Sequence, residues 1–324
     1  MRRFFFALMK ISSKNILGID DLSPKEIEFI LDTAGSLKDI LDRPLKKVPP
    51  LRGKSIVNLF FEPSTRTRLS FELAAKYLSA DTVSVAASSS SVVKGETLID
   101  TAKNVEAMGP DVIIIRHPSS GAPHLMASHV KASVINAGDG TNEHPTQALL
   151  DLFSVREHLG RISGLKVAII GDIIHSRVAH SDIRAFKKMG SDVFISGPGN
   201  LMPPYAEELG AVRVDSLEEA IEDADVIMAL RIQKERHGAP LIPSEREYAS
   251  CFGLSMDKMQ RAKEDAVIMH PGPINRGVEL SPELADSSFS IILDQVTNGV
   301  AVRMALLLLL ITNPKKINNE QHTL

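Results

Sequence analysis

The residues best suited to chemistry lie in FFEPSTRTRLSFELAAKYL, residues 60–78. A strand is expected to end at Phe61 and a helix to begin near Ser64, with Leu69, Leu73 and Tyr77 on one face. The first N–H groups of a helix have no helical partner and carry partial positive charge. Ser64, Thr65 and Thr67 add hydroxyl donors at that junction, and Arg66 and Arg68 add forked guanidinium groups that can grip phosphate oxygens in pairs. The bland alternative is a capped helix with exposed arginines. Ser-Thr-Arg-Thr-Arg in a first turn costs helix propensity without a packing return, so anion binding is the expectation. No Gly-rich Walker loop accompanies it.

Other polar clusters recur along the chain. They are ASSSSVVKGE, RHP, GDGTNEHPTQ, GDIIHSR, RIQKER and HPGPINR, and each follows a short apolar run. Ligands of open α/β sheets bind outside the carboxyl ends of strands. The expectation is one cleft facing both domains, lined by Arg, Ser, Thr, His and Gln, for a small, multiply anionic ligand. Taken alone, His144 reads equally well as a polar cap ahead of Pro145 or as a ligand contact. His-Glu-x-x-His and clustered cysteines are missing, so no metal is expected. GDIIHSR lacks G-x-G-x-x-G, so neither NAD nor another cofactor is expected.

The elements that must position these groups alternate strand and helix. Residues 22–42 read as an amphipathic helix capped by Ser23, with Pro24 first and Ile27, Ile30, Leu31 and Ala34 at helical spacing. RPLKKVPPLRGK is a connector. Strands are predicted at 55–61, 81–86, 111–116 and 133–138, and after a helix at 144–159 again at 166–172, 192–197, 225–231 and 266–270. Continuous apolar runs alternating with helices indicate parallel sheets covered on both faces. The fold class is α/β, with two doubly wound domains: 1–145 with 299–324, and 146–298.

The chain has 324 residues and a net charge of −3, with no general attraction to nucleic acid or acidic membranes. Its single cysteine, Cys251, fits a reducing, cytoplasmic compartment and reads as structural, since no base neighbours it. MRRFFFALMK begins like a signal peptide, but its apolar part is short and no cleavage site follows, so export is not expected. ALLLLLI, near the other end, is too short to span a bilayer and reads as a buried helix.

FFEPSTRTRLSFE resembles the phosphate-binding motif of the aspartate and ornithine carbamoyltransferase family. SSSSVVKGET, IIIRHP, HPTQALLDL, IIGDIIHSR, LRIQKER and HPGPINR follow in family order across residues 20–312. The resemblance implies two α/β domains, one per substrate, with a C-terminal helix containing ALLLLLI that crosses back to the first. It implies transfer of a carbamoyl group from carbamoyl phosphate to an amine, in pyrimidine biosynthesis if the acceptor is aspartate.

By the same resemblance, Ser64, Thr65, Arg66 and Thr67 hold the phosphate. Arg116, His144 and Thr67 point at the carbamoyl oxygen, and Gln147 holds the carbamoyl amide. Pro271, Gly272 and Pro273 form a rigid turn over the carbamoyl group, in which a cis bond is one expectation. Arg177 with Arg116 takes the α-carboxylate of the second substrate, and Arg231 with Gln233 takes its side-chain carboxylate. Ser90 and Lys94 reach the neighbouring subunit's site, so at least a homotrimer is implied. Ser90 is chosen by counting back from Lys94 along a run of four serines.

Within the family, aspartate is favoured over ornithine. The chain has no Trp for a Trp-x-Ser-Met-Gly loop, and His270-Pro271-Gly272-Pro273 replaces His-Cys-Leu-Pro. A cationic substrate would also need a carboxylate where Arg231 lies. HPGPINRGVEL resembles members whose chains associate with a dihydroorotase or a related inactive homologue. The alternatives kept are ornithine or related carbamoyl transfer, a non-catalytic scaffold and an NAD-dependent oxidoreductase.

Overall fold

The computed structural model of the protein describes residues 11–86, 95–233 and 241–312. Contacts divide the chain into two compact units. One runs to Asp139 and resumes at Gly299; the other is Gly140–Asn298.

The first unit contains α1 (Pro24–Lys38), β1 (Ser55–Phe60), α2 (Thr65–Tyr77), β2 (Asp81–Ala86), α3 (Leu98–Glu106), β3 (Val112–His117), α4 (Ala122–Ala127) and β4 (Ser133–Asp139). Its four strands are parallel, in the order β2-β1-β3-β4. Leu59, Ile113, Ile115 and Val134 pack with Ala102, Val105 and Met126 of the covering helices. Asn136 and Asp139, buried at the end of β4, satisfy each other: Asn136 Nδ2 donates to Asp139 Oδ1 at 2.8 Å and to the Leu17 carbonyl at 2.9 Å. Buried polar groups need such partners.

Helix α1 starts as its sequence predicts. Ser23 caps it and Glu26 returns the bond, closing a capping box. Ile27, Ile30, Leu31 and Ala34 are fully buried. The last four residues of the expected helix, Asp39–Asp42, tighten into a 3-10 turn. Helix α2 departs from expectation. Phe71, Ala74 and Ala75 face the core, whereas Leu69 and Leu73 are 46% and 39% exposed in the single chain. The aromatic ring needs the deeper site, and the small alanines beside it let the helix approach its sheet.

The second unit contains α5 (Pro145–Leu159), β5 (Lys166–Ile170), α6 (Arg177–Lys188), β6 (Asp192–Ser196), α7 (Ala206–Leu209), β7 (Val212–Arg213), α8 (Leu217–Ile221), β8 (Val226–Ala229), α9 (Glu245–Phe252), α10 (Met256–Met259), β9 (Val267–Met269), α11 (Pro282–Ala285) and the start of α12 (Ile292–Ile311). Its five parallel strands run β7-β6-β5-β8-β9. The sequence predicted four. β7 is two exposed residues at the sheet edge, too short and too polar to leave an apolar run.

Helix α12 is shared by the two units. Its first turns belong to the second, where Gln295 and Asn298 bond to Asp151 and Ser154 at 2.6 and 3.0 Å. From Gly299 it belongs to the first, where the buried Arg303 guanidinium lies 5.1 Å from the Phe71 ring centroid. The apolar run ALLLLLI is thus part of a longer, 20-residue helix. Among the described residues this is the one helix long and apolar enough to cross a membrane. Most of it is buried within the protein, and its buried polar side chains face protein partners.

Cys251 is exposed on α9, contrary to the expected packing role.

Candidate active site

In each sheet the crossovers change direction once, between β1 and β3 in the first and between β5 and β8 in the second. A topological switch point splays the loops at the carboxyl ends of its two strands and leaves a crevice there. The arginines singled out by sequence sit at those four strand ends. Arg66 follows β1 and Arg116 ends β3; Arg177 follows β5 and Arg231 follows β8.

In the first unit, Ser64 occupies the N-cap of α2 but its hydroxyl makes no cap bond. The helix start is therefore not explained by capping alone. Thr67 is buried, and Arg66 and Thr65 are exposed. Arg68 turns back along its own helix, with Nε 3.8 Å from Glu72 Oε1. Arg116 stands opposite Phe60 in register. Its Nη1 donates to the Ala137 carbonyl at 3.3 Å, and its Nε lies 3.5 Å from Glu62 Oε2, which fixes the fork at the strand end. The Phe61 and His117 rings meet at a tilt of 58° with centroids 4.9 Å apart, joining the ends of the two switch strands. Burial lowers the pKa of His117, which keeps it neutral there.

In the second unit, buried His144 caps α5 by position only; its side chain makes no cap bond. Its N–H donates to Ser181 Oγ at 2.8 Å, and Ser181 Oγ donates to Glu143 Oε2 at 3.0 Å. One turn further, Gln147 Nε2 donates to both oxygens of Asp151, at 3.0 and 3.2 Å.

Asp172, fully buried, ties the loops after β5 and β8 together. Its Oδ1 accepts from the His175 N–H at 3.2 Å and faces His175 Nδ1 at 2.8 Å. Its Oδ2 accepts from the Gln233 N–H at 3.4 Å. Arg177, 2% exposed, opens α6 behind the Ser176 cap. Arg231 Nη2 donates to Gln233 Oε1 at 3.3 Å, so those two side chains are held as a pair.

The turn after β9 contains the cis bond Gly272–Pro273. The Gly272 N–H donates to His270 Nδ1 at 2.7 Å, so Nε2 carries the ring proton and donates to Glu279 Oε1 at 3.1 Å. Pro271 and Gly272 are half-buried and Pro273 is exposed.

Thus Ser64, Thr65, Arg66, Thr67 and Arg116 occupy the switch point of the first unit. His144, Gln147, Arg177, Arg231, Gln233 and the 271–273 turn belong to the second. Ser90 and Lys94 lie outside the described residues. Asp151, Asp172, Glu279 and Gln295, which hold these groups, were not predicted. Asp151 had a signal: a lone acid inside an apolar helix, four residues after Gln147. Glu279 and Gln295 had none, because their partners are remote in sequence or tied to a local turn. Among the described residues, no group of three or more His, Cys, Asp or Glu side chains could hold a metal ion.

Two doubly wound parallel sheets, with arginines and hydroxyls at the switch points, define an α/β protein built for small anionic substrates. Residues 14–157 match the aspartate/ornithine carbamoyltransferase, carbamoyl-P binding domain, and residues 163–310 match the Asp/Orn binding domain. The chain belongs to the aspartate/ornithine carbamoyltransferase family.

It is 60% identical over 298 residues to the aspartate carbamoyltransferase catalytic subunit of Desulfotalea psychrophila, covering 92% of this chain and 94% of that one. It is 59% identical over 302 residues to the same subunit of Acetivibrio thermocellus, covering 93% and 97%. Among solved structures it is similar to aspartate transcarbamoylase from Trypanosoma cruzi in complex with N-(phosphonacetyl)-L-aspartic acid. The TM-score is 0.84 and the identity 31%, over 92% of this chain and 96% of that one. Ornithine carbamoyltransferase from Pyrococcus furiosus gives a TM-score of 0.81 at 30% identity, over 93% and 97%.

Proposed function

We propose that this protein transfers the carbamoyl group of carbamoyl phosphate to the amine of L-aspartate, releasing N-carbamoyl-L-aspartate and phosphate, as a step of pyrimidine biosynthesis. The observation that carries this reading is 60% identity over 92% of the chain to an aspartate carbamoyltransferase catalytic subunit. The switch-point arginines support it, because a guanidinium is the natural bidentate partner of phosphate and carboxylate.

The amine attacks the carbamoyl carbon, an oxyanion forms, and phosphate leaves with the C–O electron pair. Ser64, Thr65, Arg66 and Thr67 bind the phosphate, and Arg66 stabilises it as it departs. Thr67, Arg116 and His144 donate to the developing oxyanion. Fixed donors at such a charge carry roughly 100- to 1000-fold in rate each. Gln147 and the carbonyls of the 271–273 turn hold the carbamoyl amide. Arg177 and Arg116 take the α-carboxylate, and Arg231 with Gln233 takes the β-carboxylate. The leaving phosphate accepts the amine proton.

The test is a colorimetric assay for ureido product with purified protein, offered aspartate or ornithine. Product with aspartate alone supports the reading, and product with ornithine alone sinks it.

The working unit of this reading is a cytoplasmic homotrimer in which Ser90 and Lys94 serve the adjacent subunit. The KGE match supports the shared site, the single cysteine a reducing compartment, and the HPGPINR turn a dihydroorotase-type partner. Particle mass in solution, alone and with that partner, tests the assembly; a monomer active by itself would refute the shared site.

A further inference from the structure

The turn after β9 has almost no hydrogen-bond donors to give. A backbone residue other than proline carries one N–H and one carbonyl. Pro271 and Pro273 have no N–H at all. The Gly272 N–H, the one donor between them, is spent on His270 Nδ1 at 2.7 Å. Donors that flank the turn are spent as well. The His270 N–H goes to Gln295 Oε1 at 2.9 Å, and the Asn275 N–H to Glu279 Oε1 at 2.6 Å. Arg276, the next cation along the chain, is held by both oxygens of Asp286, at 2.6 and 2.7 Å. By contrast, no donor among the described residues bonds to the carbonyls of Pro271, Gly272 or Pro273.

Two buried side chains enforce this pattern. Nδ1 of an imidazole accepts only when the ring proton sits on Nε2. His270 Nε2 then needs an acceptor of its own, and Glu279 Oε1 supplies it at 3.1 Å. Both side chains are shut off from water, so solvent does not substitute. Loss of Glu279 would strand the Nε2 proton. Moving that proton to Nδ1 would set N–H against N–H and release the Gly272 donor. Gln295 is oriented from its other end: its Nε2 donates to the Asp151 carboxylate at 2.6 Å, which leaves Oε1 for the His270 N–H.

We infer that the His270–Glu279 pair makes residues 271–273 an acceptor-only surface, which selects a ligand group bearing N–H bonds and discriminates against an isosteric group without them. This deepens the proposed reaction and rests on it for the ligand, the NH2 of carbamoyl phosphate. A methyl group in that place leaves the turn's carbonyls desolvated and unpaired. A site that hydrogen-bonds a substrate N–H rejects the analogue lacking it far more strongly than shape alone does. His270 and Glu279 are positioning residues, acting on the ligand through the Gly272 backbone.

Acetyl phosphate is the probe, because it carries CH3 where carbamoyl phosphate carries NH2 and is otherwise alike. With either donor the aspartate amine attacks the acyl carbon and the C–O bond to phosphate breaks. Phosphate leaves with the electron pair and takes the amine proton. The readout is the ratio of kcat/KM for carbamoyl phosphate to that for acetyl phosphate. Glu279→Gln keeps a side-chain acceptor for both donors, so its ratio should stay close to that of wild type. Glu279→Leu frees the Gly272 N–H, so its ratio should fall roughly 10- to 100-fold, the scale of one buried hydrogen bond left unmade. An unchanged ratio in Glu279→Leu would overturn the selective role, even if both rates fell together.

The wild-type ring gives a second reading that needs no variant. Nitrogen NMR should find His270 protonated at Nε2 and bare at Nδ1, and the Gly272 amide should exchange slowly with solvent. A proton on Nδ1, or a rapidly exchanging Gly272 amide, would overturn the acceptor-only turn. If wild type made no carbamoyl-aspartate, the proposed reaction would fail, while these spectra still decided where the turn's donors lie.

Discussion

His270 and Glu279 face each other with Nε2 3.1 Å from Oε1, both side chains shut off from water. The same carboxylate oxygen also accepts the Asn275 N–H at 2.6 Å. One buried acid therefore closes the turn carrying Pro271, Gly272 and Pro273 from both of its ends.

Glu279→Gln keeps an acceptor for both donors, while Glu279→Ala strands them. Each stranded buried donor costs about 1–3 kcal/mol. Urea denaturation should show Glu279→Ala losing several-fold more stability than Glu279→Gln. Equal losses would mean that volume, not hydrogen bonding, holds the turn.

Arg66 is exposed and heads no packing cluster, so its removal should spare the fold. Surface changes of this kind shift stability by about 0.5 kcal/mol or less. Arg66→Ala should lower kcat by roughly 100- to 1000-fold while the Tm stays near wild type. Near-normal turnover would count against the phosphate cradle.

Much of this arrangement was legible in the sequence, for identifiable reasons. Parallel strands covered on both faces leave unbroken apolar runs, and all four in the first unit were found within a residue or so of their ends. Ser23 and Pro24 announced α1 because a helix start is local chemistry; the return bond from Glu26 came with the structure. The strand-end placement of Arg66, Arg116, Arg177 and Arg231 was legible because strand ends in such sheets are where polar clusters gather. What stayed hidden was set by tertiary packing. Leu69 and Leu73 look like a core face on α2, and only the depth available to Phe71 decides otherwise. Gln295 reaches Asp151 across 144 residues of chain, and no local pattern reports it.

Arg231 and Gln233 are held as a pair after β8. Arg231→Ala should raise the apparent KM for aspartate roughly 10- to 100-fold, the worth of charge-assisted hydrogen bonds, and leave that for carbamoyl phosphate nearly unchanged. Arg231→Lys should recover little, since an ammonium cannot form the fork. Equal shifts for both substrates in steady-state assays would undo the assignment.

Glu26 anchors the N-terminal segment to α1. Its Oε1 accepts from the Ser12 N–H and hydroxyl at 2.6 and 2.7 Å, and its Oε2 from those of Ser23 at 2.9 and 2.7 Å. Burial pushes its pKa up, but these four donors outweigh it and hold the pKa at about 2 against an ordinary 4.5. A depressed folded pKa stabilises above the unfolded value and loses that contribution as pH falls through the folded one. Glu26→Gln should therefore be less stable than wild type at neutral pH, and the gap should close between about 4.5 and 2 in acid-titrated thermal melts. A gap constant across that window would mean that the charge is not what the four donors hold.

Carbamoyl transfer to aspartate can be followed by NMR with carbon-labelled carbamoyl phosphate, the full chain and equal aspartate and ornithine. The label should appear in N-carbamoyl-L-aspartate, with one phosphate released per product. Label in citrulline instead, or phosphate released with no ureido product, would contradict it.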